Sequence, residues 1–175
     1  MNWPRFLLLG TLVVVAVASR VLPHPDNVTA VGGLAIFAGA MFRDRRLALG
    51  LPLAVLAVSD LFIGTHVLLP LVYASFALSV LIGRWLATSR TVPGVAGATL
   101  LGAVQFYLVT NFANWLVYDL PTGRGLIECY ASAIPFFRNS LAGDCGTVAV
   151  LFGLVWVAET AAPAIRERSA VPQLA

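Results

Sequence analysis

Residues 91–118 read TVPGVAGATLLGAVQFYLVTNFANWLVY, a run without a single Asp, Glu, Lys or Arg. A helix needs about 20 residues to cross roughly 30 Å of hydrocarbon, so this run is long enough to span a bilayer. Upstream, Leu61 to Gly83 is equally free of charge and meets the same test. The whole chain agrees: 59% of its 175 residues are hydrophobic and 11% charged, against about 25% charged in an average soluble domain. That composition excludes disorder and leaves too few charges to cover a water-soluble surface. The expected fold is all-α, a polytopic integral membrane protein forming one transmembrane domain over residues 1–175.

Six spans are expected, at about 4–22, 28–42, 47–64, 66–86, 91–116 and 146–165. The first includes Arg20, whose long side chain can snorkel to the interface. Asp60 lies near the end of the third and Glu159 within the last. Residues 118–145 are expected to form an outer loop. In it, Leu120 to Gly125 reads as a turn, and Leu126, Tyr130 and Ile134 recur at four-residue spacing. That spacing marks an amphipathic segment resting on the membrane surface or over a cavity.

All eleven basic residues are Arg. With the N-terminus inside, six spans place Arg5, Arg43, Arg45, Arg46, Arg84, Arg90, Arg166 and Arg168 on the cytoplasmic side. Arg20, Arg124 and Arg138 fall outside, the partition that the positive-inside rule expects. Both termini are then cytoplasmic. The arginines are scattered along the chain, and nucleic-acid binding needs a concentrated basic face, so nucleic acid is excluded as a partner. Arg5, the apolar run after it and Ala16-Val17-Ala18 also resemble a signal peptide. The expectation here is an uncleaved first span.

Polar side chains in or beside hydrocarbon are costly, so their grouping points to function. In the six-span arrangement Arg20, His24, Asn27, Asp60, His66, Asn111, Asn114, Trp115 and Tyr118 all map to the outer end and are expected to line or support a ligand site. Asn111, Asn114, Trp115 and Tyr118, spaced by three and four, share one helix face. They offer amides beside aromatic surface, suited to an uncharged or heterocyclic molecule, although Trp and Tyr also populate interfacial belts. The two prolines of Arg20-Val-Leu-Pro-His-Pro-Asp-Asn27 stiffen that connector. It either holds His24 and Asn27 over a pocket or simply links two spans, with Asn27 or Thr29 capping the second. Asn27-Val28-Thr29 matches a glycosylation sequon but lies very close to the membrane. Asp60 is expected to pair with Arg20 or a ligand, or to end in solvent.

Gly32, Ala35 and Gly39 form a small-residue stripe on the second span, suited to close packing inside the bundle or against a partner. Cys129 and Cys145 share the expected outer loop, where they either form a disulfide or remain free. No close Cys or His pair suggests a metal site, and no cofactor is expected. Phosphate-loop, zinc-protease and serine-hydrolase motifs are absent from the sequence. Asp60 and His66 have no nucleophile in a recognisable motif beside them, so no enzymatic activity is expected.

Several of these residues carry a resemblance. Arg20-x-x-Pro23-His24-Pro25-x-Asn27, Phe37-Ala38-Gly39-Ala40, Ser59-Asp60, Gly64-x-His66, Thr110-Asn111-Phe112 with Trp115, and Cys129-Tyr130 followed by Pro135-Phe136-Phe137 resemble an uncharacterised bacterial family of six-span membrane proteins. That family in turn resembles the substrate-binding (S) components of energy-coupling factor (ECF) vitamin transporters. The resemblance implies an S-component-like bundle in the bacterial cytoplasmic (inner) membrane, with a pocket near the outer face. It implies as partners a small-molecule ligand and a membrane coupling protein with ATPases. S components commonly carry Ala-x-x-x-Ala on the first helix, where the coupling protein docks. Here Gly10, Thr11, Ala16 and Ala18 fall at other spacings. The expected function is therefore capture of a small organic solute at the outer face. The alternative is a non-transporting accessory or structural subunit of a larger membrane complex.

Overall fold

The computed structural model describes residues 3–23 and 25–161, which form helices and short connectors with no strand among them. Six α-helices follow in order: α1 (Trp3–Val21), α2 (Val31–Met41), α3 (Arg45–Ile63), α4 (Leu69–Arg84), α5 (Val92–Asn114) and α6 (Leu126–Ala161). A 3-10 turn, Trp85–Ala87, extends α4. A π-helical turn, Trp115–Asp119, and a 3-10 turn, Leu120–Thr122, extend α5.

Local chemistry explains many of the boundaries. The Asp44 carboxylate accepts from the Arg46 N–H at the start of α3, and the Thr91 hydroxyl accepts from the Gly94 N–H at the start of α5. Both are side-chain N-caps that satisfy donors the helix itself cannot. Gly123, with φ of 81°, ends the α5 extension, because the left-handed conformation costs glycine nothing. The expected turn at Leu120 to Gly125 is thus present.

Among the described residues, four segments are long and apolar enough to cross a membrane: Arg45–Ile63, Leu69–Ala87, Val92–Thr122 and Leu126–Val157. The second expected span is shorter than foreseen. At 11 residues, α2 is about 16 Å long, and every residue from Val31 to Ala40 is buried. It is the axis of the bundle, packed by α3, α4, α5 and α6. α1 packs on α3, and Ala16 joins Val31, Leu34, Leu51 and Val55 in one core cluster. The first helix is therefore part of the fold.

Where lipid surrounds the bundle, apolar burial gives helices little reason to associate, and close backbone contact takes over. The glycines show this directly. A Cβ on Gly39 would stand 2.1 Å from the Val80 carbonyl oxygen, and one on Gly83 2.2 Å from that of Ile36. The two glycines let α2 and α4 touch backbone to backbone. Gly33 does the same toward α6, where a Cβ would lie 2.7 Å from the Asp144 carbonyl oxygen, and Gly32 makes room for the Asp144 carboxylate, 2.3 Å from where its Cβ would stand. Ala35 is fully buried. The stripe Gly32, Ala35, Gly39 is thus consumed by internal packing.

The last third of the chain corrects two expectations. Residues 118–145 are not a loop followed by a separate span at 146–165; α6 is one helix from Leu126 to Ala161, and residues 162–165 lie outside the described residues. The segment Gly143-Asp144-Cys145-Gly146 stays helical against the start of α2 and the connector before it. Gly143 lets the helix approach the Thr29 backbone, where a Cβ would sit 2.8 Å from its carbonyl oxygen. The Asp144 carboxylate finds a donor in the Gly33 N–H at 2.8 Å. Cys129 and Cys145 are both free. Sixteen residues apart on a single helix, they are separated by about 24 Å, far beyond the reach of a disulfide.

Candidate functional site

Arg20, in the last turn of α1, reaches across to α3. Its Nη1 lies 3.0 Å from Asp60 Oδ1 and also donates to Ser59 Oγ. Tyr73, from α4, donates its hydroxyl to Asp60 Oδ2 at 2.9 Å. Ser59 is held in turn, its hydroxyl donating to the Val55 and Leu56 carbonyls. The pair can form because α1 and α3 bring their C-terminal turns to the same end of the bundle. At the opposite end, Arg84 donates to the Phe42 carbonyl and Arg90 to Met41 Sδ. The expected pairing of Arg20 with Asp60 is present, and the Asp60 side chain is only 10% exposed.

Beside this pair lies a cavity of about 110 Å³. Its polar lining comes from Arg20, Asn27, Thr29, Ser79, Ser140 and Asp144. Val72, Phe76 and Phe106 supply apolar walls, with the two phenyl rings 4.8 Å apart between centroids. The polar groups come from four parts of the chain: α1, the connector before α2, α4 and α6. Asn27 sits in a turn closed by the Val28 N–H to the Pro25 carbonyl, and its φ of 62° is a conformation that Asn tolerates better than most residues. Ser79 is oriented by donating to the Ser75 carbonyl and accepting from Gln105 Nε2 at 3.0 Å.

Asp144 completes the cavity from α6. The sequence offers Asn27 or Thr29 as the cap of α2, but the helix begins at Ala30 without a side-chain cap from that connector. Its first turn is satisfied from a distance. Ser19 Oγ accepts from the Ala30 N–H, and the Asp144 carboxylate accepts from the Gly33 N–H. A negative group at this position also favours the positive end of the helix dipole.

The expected site residues do not share one hollow. Arg20 and Asn27 line the cavity, and Asp60 braces Arg20 from outside it. His66 is exposed in the turn before α4, and His24 lies outside the described residues. Asn111, Asn114, Trp115 and Tyr118 belong to a separate region. α5 continues past the cavity at Phe106, which puts Asn111 about 8 Å and Tyr118 about 18 Å further along its axis. There Asn114 donates to Cys129 Sγ, Cys129 donates to the Asn111 carbonyl and Trp115 Nε1 donates to the Arg124 carbonyl, closing the α5–α6 hairpin, while the Asn111 amide donates to the Tyr107 carbonyl within α5. Tyr118 is about half exposed.

Arg124 ties the hairpin tip together, with Asp119 Oδ1 at 3.4 Å and Glu128 Oε1 at 3.3 Å. Partial loss of hydration disfavours its charge, and the two carboxylates outweigh that effect, holding the guanidinium above its ordinary value. Tyr107 and Tyr130 lock the helices below it by each donating to the other strand of the hairpin, at the Tyr130 and Leu108 carbonyls.

Sequence reasoning missed Asp144, Ser140, Thr29 and Ser79 as cavity residues. One signal was present: Asp144 stands just before the apolar run 148–158, and an acid beside such a run points inward. A second hollow, about 1020 Å³, runs between α5 and α6. Val95, Leu100, Val148, Phe152 and Trp156 dominate its walls, a surface that suits acyl chains and offers little to orient a polar solute.

Among the described residues no cluster of three or more His, Cys, Asp or Glu could hold a metal ion. No curated protein and no solved structure matches the chain. The sequence model of a family of unknown function, DUF6580, fits residues 1–165, nearly the whole chain, and the protein belongs to that family.

Proposed function

We propose that the chain is a membrane-embedded capture subunit, taking a small solute into the cavity between α1, α2, α4, α5 and α6. The observation that carries this reading is the convergence of six polar residues from four segments on one hollow. Polar groups brought into a bundle core are expensive unless they serve packing or a ligand. The resemblance to ECF S components supports the same reading. It suggests six crossings, an outer-facing site and residence in the bacterial inner membrane. The cavity's size narrows the solute: about 110 Å³ is well below the roughly 300–1,000 Å³ of pockets for drug-sized ligands.

The test is to purify the full chain in mild detergent and identify co-purifying small molecules by mass spectrometry. Ala103→Phe, which fills the cavity wall, is expected to lose the bound molecule. Retention of the same molecule by that variant would sink the assignment. The alternative, an accessory subunit of a larger membrane complex, draws on the hairpin tip, where Leu116, Tyr118, Leu120 and Ile127 are exposed. The small-residue stripe of α2 no longer favours it, because that stripe is used internally. Native mass measurement with a stable protein partner on the hairpin would favour the alternative.

A further inference from the structure

We infer that the solute this cavity takes is a compact organic cation, an ammonium or methylated ammonium held between the Asp144 carboxylate and the rings of Phe76 and Phe106; this rests on the capture reading above. The charge balance of the site points this way. Arg20 brings no net positive charge, because Asp60 stands 3.0 Å from its guanidinium and itself accepts from Tyr73. Asp144 accepts from the Gly33 N–H, a neutral donor, so the two charged lining residues together with Asp60 behind Arg20 leave an excess of one negative charge. A carboxylate enclosed by protein is costly without a cation to offset it.

The shape of the site agrees. Phe76 and Phe106 line the same cavity as Asp144, and aromatic faces attract ammonium groups through the ring quadrupole. The hydroxyls of Thr29 and Ser140 supply acceptors for N–H groups. A volume of about 110 Å³ equals roughly four waters at about 30 Å³ each, room for methylammonium or tetramethylammonium. A hard metal cation would ask for several oxygen ligands, carboxylates foremost, and two phenyl rings do not serve it.

The experiment is calorimetric titration of the full chain in detergent with methylammonium and tetramethylammonium chloride, using sodium chloride, sodium acetate and glycerol as controls. Saturable binding of an ammonium is expected, with no binding of the controls. Asp144→Asn keeps an acceptor for Gly33 and is expected to weaken binding by about tenfold or more; Phe106→Leu, remote from the α2 cap, is expected to weaken it several-fold. Equal binding of sodium or glycerol, or an ammonium affinity unchanged in both variants, overturns the inference. If no ammonium binds while a neutral or anionic molecule co-purifies in the cavity, the capture reading stands and the cation assignment fails. If no small molecule binds at all, both fail.

Discussion

Asp60 and Asp144 are both acids in apolar surroundings, yet removing each should have different consequences. Asp60 neutralises Arg20 and accepts from Tyr73. Asp60→Ala takes the carboxylate from the Arg20 guanidinium and the Tyr73 phenol, and breaking such a pair costs about 3–5 kcal/mol. A large drop in unfolding midpoint in detergent is expected, with Tyr73→Phe costing only about 1–2 kcal/mol. Asp144→Asn, which keeps an oxygen for the Gly33 N–H, should lie nearer the Tyr73→Phe value. If Asp60→Ala unfolds like the wild type, the ion pair does not hold α1 to α3. The Arg20–Asp60 pair was legible from the sequence because both residues end helices running the same way. Asp144 was not, because its partner is a backbone N–H 111 positions away.

At the scale of the element, glycines separate into two classes that composition cannot distinguish. Gly39 and Gly83 lie where a side chain would strike backbone, whereas Gly97 and Gly153 have nothing within 4 Å of the added Cβ. Gly39→Ala and Gly83→Ala are expected to destabilise by about 1–3 kcal/mol or more through overpacking. Gly97→Ala and Gly153→Ala should be neutral or stabilising by up to about 1 kcal/mol, since alanine is the better helix former. Thermal unfolding of the four variants checks the contrast; equal losses in all four would refute the α2–α4 backbone contact. The helical period of the apolar runs was readable in advance. The merger of the amphipathic segment with the last span was not, because the residues that stabilise it, Thr29 before α2 and Gly33 on it, are more than 100 positions away.

For the whole molecule, chain length along α6 forbids a disulfide. Alkylation of the unfolded chain without reductant is expected to modify both cysteines, and a mass short of two alkyl groups would contradict the free thiols. The arrangement of ends is testable too. In a background lacking Cys129 and Cys145, Ser89→Cys and Thr122→Cys should react with an impermeant maleimide from opposite sides of the membrane. They flank α5 with its extensions, Val92–Thr122. Labelling of both from the same side would overturn the crossing of that segment.

The amino-acid sequence determined by itself that this chain is all-helical and suited to a bilayer, because uncharged runs of more than 20 residues have few other stable solutions. It also marked which helix ends carry polar groups. What only the tertiary structure decided is which of those groups meet. The 11-residue α2 could become the buried axis only because glycines on α2, α4 and α6 allow backbones to touch. α5 and α6 outrun the other helices, so the asparagine stripe closes a hairpin while Asp144 turns inward to the cavity. Spacing along a helix fixes which residues share its face, whereas depth in the bundle depends on contacts between distant parts of the chain.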